Sequence, residues 1–341
     1  MLLKTKITLL TTSLCCVISS IVTNAQTYTF DRFDVNPIIT PAMLGEDGEN
    51  INGPSLIKVP NWVTGRLGKY YLYFAHHQGQ YIRLAYVDDL KGPWKIYKGG
   101  VLKTTDCRCG EAAGKPETSN ASDVYLSNAH IASPDVHIDE AGKQIVMYFH
   151  CPLNNNGKKG QYSLRSVSKN GLQFLSEDVV LGESYFRVIQ WKDAHYAIAR
   201  AGELYKSVDG GKTFEHGGNP FAHLQTKENY VRHVALKIVK DELLVFHTRI
   251  GDKPESILVS SIKLSPNWKE WKASPAVLIA QPEKEYEGAH LPLTVSKMGS
   301  YHGLIRELRD PGFYEENGKW YLLYSVGGEH GLGIAEIKAK K

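Results

Sequence analysis

One feature of the sequence limits its fold more than any other: a triplet of short apolar strands recurs five times. The central members are GKYYLYFAH from residue 68, GKQIVMYFH from 142, KDAHYAIAR from 192, KDELLVFHTR from 240 and NGKWYLLYS from 317. Each follows an apolar stretch, in turn NGPSLIKV, ASPDVHID, YFRVIQW, RHVALKIV and RDPGFYEE. Each precedes another: YIRLAYV, YSLRSVS, ELYKSVD, SILVSSIKL and GLGIAEI. Val, Ile, Tyr and Phe alternating with polar residues, punctuated by Gly, Asn, Asp and Lys, mark strands joined by hairpins. Fainter fourth strands stand in GPWKIY, LQFLSE and KTFEHG, and helical periodicity is nearly absent.

Repeated units of this size bury their apolar faces only by stacking on one another. Five four-stranded antiparallel units predict an all-β chain folded as a five-bladed β-propeller, which protects its strand edges by radial repetition. The fifth unit lacks a clear fourth strand, and YTFDRFD at residues 28–34 is available to complete it and tie the chain ends together. Spacing between units stretches at about residues 98–129 and 271–308. Long insertions in a compact domain tend to carry function.

The first 25 residues hold Lys4, Lys6, an apolar run and Ala25 before Gln26, the layout of a cleaved secretory signal. The expectation is a single propeller domain over residues 26–341, periplasmic or secreted. Cys15 and Cys16 lack the preceding small residue that lipoprotein processing wants, which disfavours a lipid anchor. No later stretch is long and apolar enough to span a bilayer. Loss of Lys4 and Lys6 with the signal takes the formal charge from +4 to +2, a balance that argues against a nucleic-acid partner. Cys107, Cys109 and Cys151 are an odd number. A disulfide from Cys151 to either of the others is conceivable, and thiols without chemistry are the simpler expectation.

In a propeller the innermost strands line a central channel, so polar residues at their starts should face a shared hollow. Those residues are Asn52, Asp135 with His137, Arg187, Arg232 with His233, and Arg309 with Asp310. His130 lies just upstream of the second, and Glu287 and His290 fall in the last insertion. Alternation sends Val136 and Ile138 between blades and Asp135 into the channel. Any one of these residues is as readily a brace between blades as a functional group. The set is harder to explain so, because every buried charge needs compensation; it predicts a ligand or catalytic site. His76, His77, His150, His247 and Arg249 end second strands and either reach the same face or simply sit there. A channel metal ion is compatible with a cluster of His and acids, yet no H-x-H or H-E-x-x-H spacing specifies one, and no cofactor is required. The six tryptophans offer sugar-stacking faces or, for most of them, core.

SPDVH, RDPGFYEENGKWYLLYS and NGPSLI resemble the blade openings of five-bladed propeller glycosidases, above all glycoside hydrolase family 43 and its relatives. The resemblance spans the expected mature chain in blade count, on short motifs. It implies a blade-one Asp as base, a blade-two Asp that tunes pKa and orients substrate, and a later Glu as acid. Asp135 matches the second role and Glu287 loosely the third. The first fails, because Asn52-Gly53 stand beside Pro54 where the base would be. Since inverting hydrolysis needs two carboxylates, either Asp310 substitutes or the chemistry is not ordinary hydrolysis.

Arginine and histidine suit elimination beside a uronate carboxylate: one neutralises the anion, the other moves protons. The expected reaction is therefore a lyase or dehydratase step on acidic, uronic-acid-containing oligosaccharides. Arg187 and Arg232 would bind the anion, His130 or His233 would act as base or acid, and Asp135 would orient a histidine, with Tyr185 as a further partner. The alternatives are hydrolysis shared by Asp135, Asp310 and Glu287, and a non-catalytic glycan-binding propeller.

Overall fold

The structure, a computed structural model, describes residues 27–109 and 129–340. The expected signal, and residues 110–128 of the first insertion, lie outside the described residues. Twenty strands form five four-stranded antiparallel sheets. Blade one is β2 (Asn52–Lys58), β3 (Tyr70–Ala75), β4 (Tyr81–Val87) and β5 (Lys95–Lys103). Blade two is β6 (Ala132–Asp139), β7 (Gln144–Asn155), β8 (Lys158–Ser168) and β9 (Leu175–Glu183). Blade three is β10 (Arg187–Trp191), β11 (Ala194–Ile198), β12 (Leu204–Ser207) and β13 (Glu215–Gly218). Blade four is β14 (Tyr230–Val239), β15 (Glu242–Ile250), β16 (Ile257–Lys263) and β17 (Val277–Ala280). Blade five is β18 (Leu304–Glu316), β19 (Lys319–Gly328), β20 (Leu332–Ala339) and, from the other end of the chain, β1 (Tyr28–Arg32).

The apolar clusters are the five seams between neighbouring blades. Tyr71 and Tyr73 of β3 pack towards blade two, while Tyr70, Leu72 and Phe74 of the same strand pack towards blade five. Both faces of a blade are buried, so every residue of β3 is inside. This two-sided burial explains why the central strands read as nearly continuous aromatic and aliphatic runs.

Each innermost strand carries the same bulge. Two residues loop out between Asn52 and Ser55, Ala132 and Asp135, Val231 and Val234, and Arg309 and Gly312. Blade three does likewise ahead of β10, where the Arg200 N–H bonds the Ser184 carbonyl and Arg187 pairs with Ile198. The bulged pairs are Gly53-Pro54, Ser133-Pro134, Tyr185-Phe186, Arg232-His233 and Asp310-Pro311. The first residue is left-handed in four of them, with φ of +61°, +51°, +67° and +47° at Gly53, Ser133, Tyr185 and Asp310. Proline is tolerated at a bulge because the ladder there asks for no donor. Gly53 also has a packing reason: a Cβ would stand 3.1 Å from the Ser133 Cα.

Ring closure is by β1, which pairs with β20 from Tyr28↔Ala339 to Arg32↔Ala335. Arg32 fastens it: Nε donates to Glu287 Oε1 at 2.7 Å and Nη2 to Glu287 Oε2 at 3.1 Å. A disulfide joins Cys109 to Cys151 and holds the described end of the first insertion against β7, which corrects the expectation of inert thiols. Cys107 stays outside it, its thiol 3.4 Å from the Lys103 carbonyl. Among the described residues, no helix is long and apolar enough to cross a membrane.

Candidate functional site

The bulges aim side chains at the propeller axis, and there a cavity of 510 Å³ opens. Its buried wall includes Arg232 and His233 from the blade-four bulge and His77 from just beyond β3. Tyr185, the bulged residue of blade three, stands at the same wall. Tyr162, Tyr230, Met298 and Gly299 also line it, so part of the second insertion borders the hub.

His233 is the best-supported titratable group on that wall. Its Nδ1 lies 2.6 Å from Asp310 Oδ1, and the Ser325 hydroxyl donates to Asp310 Oδ2 at 3.2 Å. Burial pulls the His233 imidazole below its ordinary pKa, and Asp310 only partly opposes this. Burial by itself would raise Asp310, but His233 outweighs it and holds the carboxyl below its usual range. The Tyr185 ring sits 4.7 Å from that of His233 and 4.2 Å from that of His150, and desolvation pushes its phenol well up. His150 is fully buried, and burial followed by the neighbouring His130, His77 and His233 keeps it far below the ordinary imidazole value.

Behind this wall lies a buried ion network. Arg309 holds Glu307 (Nε–Oε2 2.7 Å), Glu329 (Nη1–Oε1 2.9 Å) and Glu255 (3.4 Å). Arg232 donates to Glu255 Oε2 at 3.1 Å and to the carbonyls of Lys297 and Gly299 at 3.0 and 2.6 Å. Glu329 also faces His77 Nδ1 at 3.4 Å and accepts from the Asn50 and Asn52 amides. Burial would raise Glu329, but His77, Arg309 and Arg232 hold it well below the usual range. Glu307 goes the other way, raised by burial against the pull of Arg309.

The expected residues separate into two groups. Asn52, Arg232, His233, Arg309 and Asp310 converge on the hub, and His130 is fully buried near His150. Asp135 and His137 do not face the channel. Asp135 Oδ2 accepts from the Val188 N–H at 2.7 Å and lies 2.7 Å from His137 Nε2, in the seam towards blade three. Alternation sorts side chains between the two neighbouring blades, and Asp135 stands one residue past the bulge of blade two, which is Ser133-Pro134. Arg187 lies one step past its bulge in the same way and donates to the Pro134 carbonyl at 2.7 Å.

Glu287 is engaged away from the cavity, by Arg32, the Tyr324 hydroxyl at 3.1 Å and the Glu283 and Lys284 N–H groups. His290 is exposed on the insertion. A hollow biased positive by Arg187 and Arg232 is also not what forms, because both guanidiniums are already engaged. Glu255, Glu307 and Glu329 are not among the residues expected at the hub, since Glu255 in KPESILV precedes β16, Glu329 in GGEHGLG follows β19, and Glu307 in IRELRDP lies in β18 ahead of the blade opening. Tyr185 was legible only as a partner whose phase was uncertain. Among the described residues no group of three or more His, Cys, Asp or Glu is placed to hold a metal ion.

No family model matches the sequence. The propeller is similar to that of a thermostable family-43 glycoside hydrolase, with a TM-score of 0.53 and 11% identity over 86% of this chain and 93% of the other. An exo-1,5-alpha-L-arabinanase from a bovine ruminal metagenomic library superposes with a TM-score of 0.54 at 13% identity, covering 87% and 95%. An N-acetylgalactosamine deacetylase from F. plautii, solved with blood group B trisaccharide, gives 0.53 at 10%, covering 92% and 94%. At these identities the likeness is one of fold, the five-bladed propeller of these enzymes. A sequence relative comes much nearer, 35% identical over 327 residues that cover 90% of this chain and 89% of the other. The chain therefore belongs to the same protein family as "Uncharacterized protein R118" of Acanthamoeba polyphaga mimivirus.

Proposed function

We propose that the chain is a carbohydrate-active enzyme that hydrolyses a glycosidic bond in the hub cavity. The observation that carries this is His233 on the cavity wall, its Nδ1 2.6 Å from buried Asp310. With the Nδ1 proton on the side of Asp310, Nε2 is the acceptor. His233, kept neutral by burial, takes a proton from water, and the water oxygen attacks the anomeric carbon. The bond from that carbon to the leaving oxygen breaks, and the Tyr185 phenol, held protonated by desolvation, supplies the leaving oxygen with its proton. Asp310 steadies the imidazolium that forms. The fold of the structural neighbours, two of them hydrolases of glycosidic bonds by description, supports this reading by analogy.

One observation favours elimination as a second reading. Among the described residues, Glu183 is the one carboxylate that lines the cavity; the other titratable groups are His, Tyr, Lys and Arg, a set that serves proton abstraction as well as hydrolysis. Incubation with a panel of oligosaccharides separates the two. Hydrolysis yields products whose masses sum to substrate plus one water, with a new reducing end. Elimination adds no water and yields an unsaturated sugar that absorbs in the ultraviolet. Saturable binding without any product would overturn both in favour of a glycan-binding propeller. Export through a cleaved signal belongs to the same proposal; the Cys109–Cys151 disulfide supports an oxidising compartment, and the mass of the mature N-terminus tests it.

A further inference from the structure

The cavity does not end at the hub. A second depression of 440 Å³ abuts it over blade three, and the two share Glu183 and Arg200. A ligand that extends from the first depression into the second would pass Arg200.

Arg200 differs from the other arginines at the site. Arg232 and Arg309 are matched by carboxylates, and Arg187 by carbonyls. Among the described residues the Arg200 guanidinium meets only the Met298 thioether, 2.8 Å from its Nη2, and sulfur of that kind is a weak acceptor. Among the described residues no carboxylate lies within 4 Å of its guanidinium. Yet its backbone is firmly placed. Its N–H bonds the Ser184 carbonyl at 2.8 Å, and the carbonyl of the next residue, Ala201, accepts from Asn219 at 2.8 Å and Gln225 at 3.0 Å. Nearby Glu203 is already taken up by His216 at 2.6 Å and by Asn219 at 3.1 Å. Lys159, exposed and also lining the cavity, adds a second cation against the single acid Glu183. A guanidinium on an anchored backbone, unmatched by a carboxylate among the described residues and at the junction of two depressions, is suited to a planar or tetrahedral oxyanion.

Building on the hydrolase reading, we infer that Arg200 selects glycans carrying an anionic group, a carboxylate or a sulfate ester, on the unit next to the bond being cleaved. The anion displaces Met298, which is 64% exposed and free to swing away. The test is calorimetric titration, at low salt, of three matched disaccharides: glucosyl, glucuronosyl and sulfated glucosyl. The unmodified protein should bind at least one anionic disaccharide roughly tenfold more tightly than the neutral one. Arg200→Gln should abolish that preference and leave neutral binding and the melting temperature unchanged, and Arg200→Lys should restore part of it. The glucuronosyl and sulfated arms tell the two anions apart. Equal affinity for all three sugars, no binding of either anionic sugar at millimolar concentration, or an equal loss on all three in Arg200→Gln overturns the inference. Turnover of neutral glycans without an Arg200-dependent preference defeats this inference alone. Arg200-dependent anion binding with no turnover of any glycan defeats the hydrolase reading alone.

Discussion

His233 and Asp310 show how two neighbouring titratable groups are set to one task. Neutral His233 is available to accept a proton, and Asp310, ionised and buried at its back, stabilises the charged form that results. The His233→Asn variant should therefore lose about 10²–10⁴ in kcat with little change in melting temperature. Asp310→Asn should act differently. Asp310 raises the pKa of His233 against the effect of burial, so without its charge the imidazole becomes a weaker base. The acidic limb of the kcat/KM profile should then move to lower pH while the plateau falls. A limb that stays in place would show that His233 is not the titrating base. Arg309 shows a different arrangement of charge, since one guanidinium contacts Glu255, Glu307 and Glu329 at once while Arg232 adds a second cation beside Glu255 and Glu329. No member of that network needs a function to be buried, which is why the sequence motif RDP points to the hub but not to the division of labour within it.

The bulge decides which side chains face the hub. A reader of the sequence can see strands, turns and alternation, and all five innermost strands were legible in that way. Alternation, however, divides residues between the two faces of a blade, and in a propeller both faces meet protein. The third direction, towards the axis, opens where two residues stand opposite one and the extra residue breaks the period. Gly-Pro, Ser-Pro and Asp-Pro at residues 53, 133 and 310 are the visible traces of those breaks; Tyr185-Phe186 and Arg232-His233 carry no such mark. Polarity at the start of an innermost strand points to Asp310, His233 and Asp135 alike, and of these Asp135 lies in the seam. Equivalent positions confirm the reassignment: Ser55 Oγ accepts from the Val136 N–H of the next blade at 2.9 Å, as Asp135 accepts from Val188. The Asp135→Ala variant should strand the Val188 N–H and cost about 1–3 kcal/mol of stability in urea unfolding. Asp135→Asn, which keeps an acceptor, should cost much less. Loss of activity in Asp135→Asn beyond the loss of folded protein would instead favour the pKa-tuning role that the family 43 resemblance implies.

Across the whole molecule the ring depends on two things that the chain can lose: its closing strand and the neutrality of its interior. The strand was legible because the fifth repeat lacked a partner, but the anchor was not, since nothing in EYEGAH says that Glu287 meets Arg32 across 255 residues of sequence. Arg32→Ala leaves the fully buried Glu287 carboxylate without its cation and should destabilise the propeller by about 3–5 kcal/mol. Combining Arg32→Met with Glu287→Gln should recover most of that, as judged by denaturant midpoints. Interior neutrality makes the second dependence one of pH. Burial lowers the folded pKa of His76 to about 4 and of His247 to about 3, and pulls His150 and His233 down as well. The unfolded chain takes up these protons near pH 6.5 and the folded chain does not. Their contribution is thus fully present above pH 6.5 and is lost as pH falls from there towards the folded values. Asp310 and Glu329, depressed in the folded state, add a loss of the same sign at lower pH, below the ordinary carboxylate range. Melting temperature should therefore be flat above about pH 7 and decline from about pH 6.5, well before carboxylates titrate. His247 sits 3.1 Å from Ser260 Oγ and edge-on to Phe221, with Arg249 the charge that acts on it. Replacing it by Gln removes one of these protons and should flatten the decline by up to about 1.4 kcal/mol per pH unit. A melting temperature that holds steady down to pH 5 in the unmodified protein would mean that these histidines titrate in the folded state as they do in the unfolded chain, and that burial does not keep His233 neutral below pH 6.5.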